Sequence, residues 1–469
     1  MRNALSSRLK VSLLAGALAL TAGPARAADE GLIADRLPRK VARNDWTKYC
    51  GSLSMNGVAA GEHVLSARSV RGLTLLWSRT LDGSIASAPS VARGKVYVGD
   101  WGGREWALDA DTGEVLASVN LGRTVVDHCN PPNLGVTSSP AIEGNVLYLA
   151  GGDDGFYALD ADTLAQKWRR SLGDNSPEGG YYGWCSPAVA GGKVLQGVAS
   201  DCDQPFPPGK LVAMDPATGE ISAVASFVPD GLVGGGVWTS PAVDLENRKI
   251  FVTTGSAHAF TDGDAFSILR LDLDTLLVED RWKLNTGDSP YWDADWGSSP
   301  TLFTDAEGRL LVGAGQKDGG YYAFVRSDLA AGPVWVAPVA IGGEVPQAGE
   351  GTLSTAAFDG KTLYVGGGSP PTSSDPAAAG AVSAVAPDDG RILWIRTFPG
   401  PVLAPVSFAN GVVFGVGGRT VAAFDAASGE TLWSFRMDAW GFGGIAVARG
   451  HLYVGDLSGR LYAFGIPVD

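Results

Sequence analysis

The feature that most constrains this chain is an internal repeat recurring at intervals of about 40–60 residues. Each copy opens on a small residue and proline. It then runs through a short apolar strand, a glycine turn, a second strand ending in glycine and a third ending near aspartate. A Thr-Gly-Glu-like turn and a fourth strand with tryptophan complete it. In the first copy these are Ala88-Pro89, Lys95-Val96-Tyr97-Val98-Gly99, Ala107-Leu108-Asp109 and Thr112-Gly113-Glu114. Later copies open at Ser139-Pro140, Ser186-Pro187, Ser240-Pro241 and Ser299-Pro300, near Ser354, at Ala404-Pro405 and near Gly444. β-Branched and aromatic residues alternate within the segments, and Gly, Asp and Asn separate them, as short antiparallel strands require. The 65 glycines suit so many tight turns. One four-stranded sheet cannot stand alone, so the copies must pack face to face around an axis. The expected fold is an all-β, eight-bladed propeller of four-stranded antiparallel blades.

The last copy ends near Leu461-Tyr462-Ala463-Phe464 without a fourth strand. The Leu-Trp ending of other blades, as at Leu393-Trp394 and Leu432-Trp433, stands instead at Leu75-Leu76-Trp77. A strand near 73–79 is therefore expected to complete the last blade and close the ring, within one domain spanning 28–469. Upstream, Arg2, Arg8 and Lys10 precede an apolar run from Val11 to Leu20, and Ala25-Arg26-Ala27 offers small residues for cleavage. This reads as an export signal over 1–27, so the expected location is the periplasm or beyond. Its removal takes away Arg2, Arg8, Lys10 and Arg26, moving the formal charge from -14 to -14 - 4 = -18. Such a balance speaks against nucleic acid or an anionic membrane as partner and suits a basic redox protein. No stretch is long and apolar enough to span a bilayer. Cys50, Cys129, Cys185 and Cys202 allow three disulfide pairings. No C-x-x-C-H occurs, so electrons would leave through a separate protein.

Propeller geometry places the loop before each blade's first strand and the loop after its second on one face. That face collects Trp238, Tyr291-Trp292-Asp293-Ala294-Asp295-Trp296, Lys317, Asp201-Cys202-Asp203, Ser256, His258, His128-Cys129, Cys185, Trp101 and Trp440. Paired aspartates can share a hard cation or take a proton. Tryptophan can stack on a planar ring, and lysine can stabilise an oxyanion. The Pro/Ala-rich stretch from Ser369 to Ala379 reads as an insertion.

On these residues the chain resembles the eight-bladed pyrroloquinoline quinone (PQQ) alcohol dehydrogenases, and among them the polyvinyl-alcohol-dehydrogenase-like members. Gly234-Gly235-Gly236-Val237-Trp238 is similar to the segment whose tryptophan stacks beneath the quinone. Trp292-Asp293-Ala294-Asp295 is similar to the segment with the catalytic aspartate. The resemblance implies Asp293 and Lys317 as catalytic residues, and Trp238, Lys317 and Cys129 against the cofactor. It implies Asp293 and Asp295 around Ca²⁺ or a lanthanide, with Asp201 or Asp203 standing in for the family's glutamate ligand, which has no clear equivalent, and Ser256 where its asparagine ligand stands. A small or polymeric alcohol would be substrate, and a soluble cytochrome c the electron acceptor. The chain departs from the family where a vicinal disulfide and an Asn-Arg-Gly stretch stand. Here the residues are His128-Cys129-Asn130-Pro131-Pro132-Asn133-Leu134-Gly135, and Trp184 replaces a threonine. Two other readings remain at this point: a cofactor-free propeller scaffold, or an enzyme using His128, Cys129 and Cys185.

Overall fold

Eight antiparallel four-stranded sheets follow one another along the chain, one of them carrying an extra short strand. This computed structural model describes residues 42–127, 129–258, 263–284, 293–373, 375 and 377–467. The expected export signal, His128, Tyr291 and Trp292 lie outside the described residues. Blade 1 shows the plan: Ser90–Ala92 is innermost, followed outward by Lys95–Gly99, Arg104–Asp109 and Val115–Asn120. The ring closes as the sequence led us to expect. Thr74–Thr80 forms the outer strand of the last blade, antiparallel to Arg460–Gly465, with Trp77 opposite Ala463. In blade 3 the second strand is long, Lys193–Ser200, and its distal end also pairs with Tyr181–Tyr182.

The repeat's tryptophan and its turn glycine belong together. The aspartate ending the third strand caps the turn: Asp109 Oδ1 accepts from the main-chain N–H of Thr112 at 2.9 Å. The turn brings Gly113 to φ +70 beneath the Trp77 ring of the preceding blade, where a Cβ would lie 2.5 Å from the indole. Trp77 Nε1 donates to Ala110 O at 3.1 Å. The clasp recurs as Trp168 on Gly219, Trp335 on Gly390 and Trp394 on Gly429. Each tryptophan thus joins its blade to the next.

The opening Ser-Pro has a different purpose. Around the channel, the hydroxyl of one blade accepts the main-chain N–H of its neighbour. The bonds run from Ala88 to Ser139 (2.9 Å), Ser139 to Ser186 (2.9 Å), Ser186 to Ser240 (3.0 Å), Ser240 to Ser299 (2.8 Å) and Ser299 to Thr355 (3.2 Å). Innermost strands leave one edge unpaired, and such groups need partners when buried. The segment Trp46–Ala59 supplies them by threading around the channel. It bonds the main chain of Val91, Ile142, Val243, Leu302, Phe358 and Phe408 in turn, at 2.7–2.9 Å. Glu62 then accepts from Gly450 N–H in blade 8 at 2.7 Å. These contacts fall beyond the serine girdle, on the side away from the face carrying the candidate residues.

Candidate active site

The face carrying the candidate residues holds a cavity of about 390 Å³, within the range of small-molecule sites. Trp238 enters from the connection before blade 4, and Asp293 and Asp295 from the connection before blade 5. Lys317 follows the second strand of blade 5, Leu310–Gly315. An isolated bridge between Trp296 and Gln316 ties the aspartate segment to the lysine loop. Lys317 Nζ donates to Asp293 Oδ2 at 2.8 Å and lies 2.7 Å from Asp295 Oδ1, an ion-pair contact outside hydrogen-bond geometry. Ser256 Oγ donates to Asp293 Oδ1 at 2.6 Å, and Trp238 Nε1 to Asp295 Oδ2 at 3.1 Å. The ammonium also stands 5.7 Å from the Trp238 ring centroid, a cation–π contact.

Lys317 is only 9% exposed, because the connection from blade 5 to blade 6 passes over it. Gly343 N–H donates to Lys317 O at 3.0 Å, and Gly351 lies so close that a Cβ would be 2.9 Å from Lys317 Cα. Burial opposes the ammonium charge, but the two aspartates outweigh it and raise the pKa. Burial also pushes the Asp295 carboxyl up to about 7, with Lys317 pulling it down and Asp293 pushing it up. Asp203 is raised too, first by burial, against the opposing hydrogen bond from Ser200. The lining carries Asp201, Asp203, Asp293, Asp295 and Glu344 against Lys317 alone, an excess of negative charge in a partly dry pocket.

The structure thus gathers Trp238, Ser256, Asp293, Asp295, Lys317 and Asp203 on one cavity wall. Cys129 is not in that wall. It is bonded to Cys202, which is, in a disulfide between two mouth loops. None of the three full pairings open to the sequence forms: Cys129–Cys202 is bonded, and Cys50 and Cys185 are buried free thiols. Burial raises the Cys185 thiol to about 12 despite the Gly197 N–H that it accepts, so it offers no ready thiolate. Trp101, His258 and Trp440 do not line the cavity; Trp101 Nε1 instead donates to Thr137 Oγ1 at 2.8 Å. Sequence reasoning missed Tyr49, from the threaded segment, and Glu344, Pro346 and Gln347. The long stretch between Pro338 and Ala357 was the signal for the latter three. A second carboxylate group, Asp305, Glu307 and Asp388, lies on turns at the far end of the blades, and Asp305 pairs with Arg309.

An eight-bladed ring with paired aspartates, a buried lysine and a tryptophan at one mouth defines a repeat propeller of the PQQ type. The chain belongs to the PQQ_2 propeller family: the family model described as outer membrane protein assembly factor BamB matches residues 64–260 and 284–466. Its sequence is 25% identical over 468 residues to a polyvinylalcohol dehydrogenase of a Pseudomonas species, covering 86% of this chain and 69% of that one. It is 26% identical over 291 residues to a quinoprotein ethanol dehydrogenase of Pseudomonas putida. That match covers 50% of this chain, which spans about half (46%) of the relative's length. A solved europium-containing methanol dehydrogenase shares the fold, with a TM-score of 0.74 at 15% identity, covering 90% of this chain and 98% of that one. The chain is therefore related, at low identity, to the PQQ alcohol dehydrogenases.

Proposed function

We propose that this protein is an exported, quinoprotein-type dehydrogenase that oxidises an alcohol with PQQ and Ca²⁺ or a lanthanide, passing electrons to a soluble acceptor such as a cytochrome c. The observation that carries the reading is the Asp293 carboxylate, held between Ser256 and Lys317 in the wall of a cavity walled also by Trp238. The donor set suits the ion: several buried carboxylates against one lysine leave a charge that a multivalent cation would neutralise. The half-buried indole face and the cavity size suit a flat ring system. Asp203, Asp293, Asp295 and Ser256 would hold the ion, and Trp238 and Lys317 would contact the quinone.

When bound, the quinone supplies the two-electron acceptor and the ion the Lewis acid. Asp293 accepts the alcohol's hydroxyl proton at a carboxylate oxygen, in the general-base role. Ser256 and Lys317 fix that carboxylate in the cavity wall. Lys317 also offers positive charge to an oxygen that gains electron density. Tyr49 and the girdle hydroxyls line the same cavity, so an alcohol would enter from the mouth toward them. The polyvinylalcohol dehydrogenase relative makes a polymeric alcohol one candidate substrate.

One observation favours a cofactor-free scaffold as the second reading. All four oxygens of Asp293 and Asp295 already meet a serine, an indole or the lysine, so the site is self-consistent without an ion. Titration of the purified protein with PQQ, with and without Ca²⁺ or La³⁺, separates the two. The dehydrogenase reading expects quinone absorbance, a raised melting temperature and alcohol-dependent reduction of an artificial acceptor. Neither binding nor stabilisation at saturation would eliminate it.

A further inference from the structure

The one disulfide among the described residues joins two mouth loops 73 residues apart in sequence, with Cα atoms 5.8 Å apart. Cys129 sits near the middle of the connection from blade 1, which ends at Asn120, to blade 2, which begins at Ala141. Its limbs are held by Thr124 N–H to Leu134 O (2.8 Å) and Asn133 N–H to Val126 O (3.1 Å). Cys202 sits on the loop that follows the long second strand of blade 3, between Asp201 and Asp203, and all three line the cavity. That loop is fastened at its roots. Asp201 N–H donates to Gly180 O (2.9 Å), Trp184 Nε1 to Ser200 O (2.9 Å), and Gly234 N–H to Pro207 O (3.0 Å).

The tip is less comfortable. Asp203 takes a left-handed φ of 62°, which an aspartate tolerates at some cost. Its carboxylate accepts from Ser200 Oγ and feels the attraction of Lys317, the larger charge effect on it, against the repulsion of Asp293. Desolvation is the largest influence on this carboxylate, and with the left-handed backbone it favours turning to water. Ser200 Oγ holds Asp203 locally, accepting its N–H at 3.0 Å and donating to its carboxylate, and the disulfide at the adjacent Cys202 ties the tip to the neighbouring mouth loop.

We infer that the Cys129–Cys202 disulfide is a positioning strap that holds Asp203 in the mouth beside Asp293 and Asp295, so that affinity for a multivalent cation depends on the strap being closed. The inference rests on the proposed reading of the mouth as a cation site. Opening the strap is a two-electron step: an external dithiol gives up two electrons and two protons and becomes a disulfide, while Cys129 and Cys202 become thiols. Neither cysteine is among the proposed ligands; each would act through the loop.

Terbium(III) is a suitable probe, read by calorimetry and by luminescence sensitised by Trp184 and Trp238. The oxidised protein should bind it. Cys129→Ser/Cys202→Ser, and the wild type opened by dithiothreitol, should bind about 10–100-fold more weakly while retaining a cooperative melt. In the Asp203→Asn background binding should already be weak, and opening the strap should then change it little, because both perturbations remove the same carboxylate. Should the double variant fail to fold, the reduced wild type decides. Equal affinity with the strap open or closed, or fully additive losses, would overturn the strap while leaving the cation site intact. No terbium binding by the oxidised protein would overturn both the cation site and the strap.

Discussion

At the scale of single residues, Lys317 engages two aspartates whose remaining oxygens have different partners. Asp293 turns its second oxygen to Ser256 and is partly open to the cavity, whereas Asp295 is 3% exposed and turns to Trp238. The proton acceptor should therefore be Asp293, with Asp295 holding the lysine and the indole in place. Asp293→Ala is expected to lower turnover of the PQQ- and ion-loaded protein by about 10²–10⁴-fold, with the melting temperature nearly unchanged. Unchanged turnover in an artificial-acceptor assay would show that another group takes the proton. Glu105 is a carboxyl of another kind. It is fully buried in the third strand of blade 1, and neither oxygen has a hydrogen-bond partner. The same position holds Phe156 in blade 2 and Leu461 in blade 8. Burial, with help from Asp100, raises its pKa well above the ordinary range. Replacing it by leucine should relieve an unsatisfied buried group and stabilise the fold by about 1–3 kcal/mol, measured by urea denaturation. A lower urea midpoint in Glu105→Leu would mean that the carboxyl has a role to which packing gives no clue.

At the scale of elements, the clasp between outer-strand tryptophan and turn glycine makes its own prediction. Gly113 and Gly144 both have positive φ, +70 and +59, but only Gly113 lies beneath a ring; a Cβ on Gly144 would meet nothing within 4 Å. Gly144→Ala should thus cost only the backbone penalty, about 1 kcal/mol. Gly113→Ala should cost that and the displacement of Trp77, together about 2–4 kcal/mol. Equal urea midpoints for the two variants would show that the Trp77 contact contributes nothing to blade cohesion. The repeat made these elements legible, because tryptophan, glycine and aspartate recur at fixed places for side-chain reasons. The closing strand was legible for the same reason: Leu75-Leu76-Trp77 carries the blade ending out of order. The threaded segment around Trp46–Ala59 was not, because its bonds to six blades are main-chain bonds that no side-chain pattern records. The candidate site was legible only in part. Trp238, Asp293, Asp295 and Lys317 stand in recognisable local sequence, whereas Tyr49 and the Cys129–Cys202 pairing depend on segments that meet only after the ring has closed.

At the scale of the whole molecule, the carboxyls divide into two groups that respond oppositely to pH. Asp272, on an outer turn, accepts from the N–H and hydroxyl of Thr275 and is held down at about 2. Such groups add stability above the ordinary value of 3.8 and lose it as pH falls toward 2, though exposure keeps each contribution small. Asp295 and Glu105 are raised by burial. For Asp295 the native state binds a proton that the unfolded chain releases at 3.8, so its contribution is complete below 3.8 and lost as pH rises through about 7. The ion-free protein should therefore be more stable near pH 5 than near pH 8, where the buried mouth must carry uncompensated charge. A multivalent cation reverses the sign at this site, because it binds the ionised carboxylates and expels the proton. With saturating La³⁺ the melting temperature should instead rise between pH 5 and about 7, and the ion-induced shift should shrink as the mouth is acidified. Thermal melts across this range, with and without La³⁺, test the expectation without any assay of turnover. A shift independent of pH would mean that the ion binds elsewhere, as on the exposed carboxylates at the far end of the blades. Asp295→Asn should flatten the ion-free profile around pH 7 and weaken the ion response in the same variant, since one buried carboxyl underlies both.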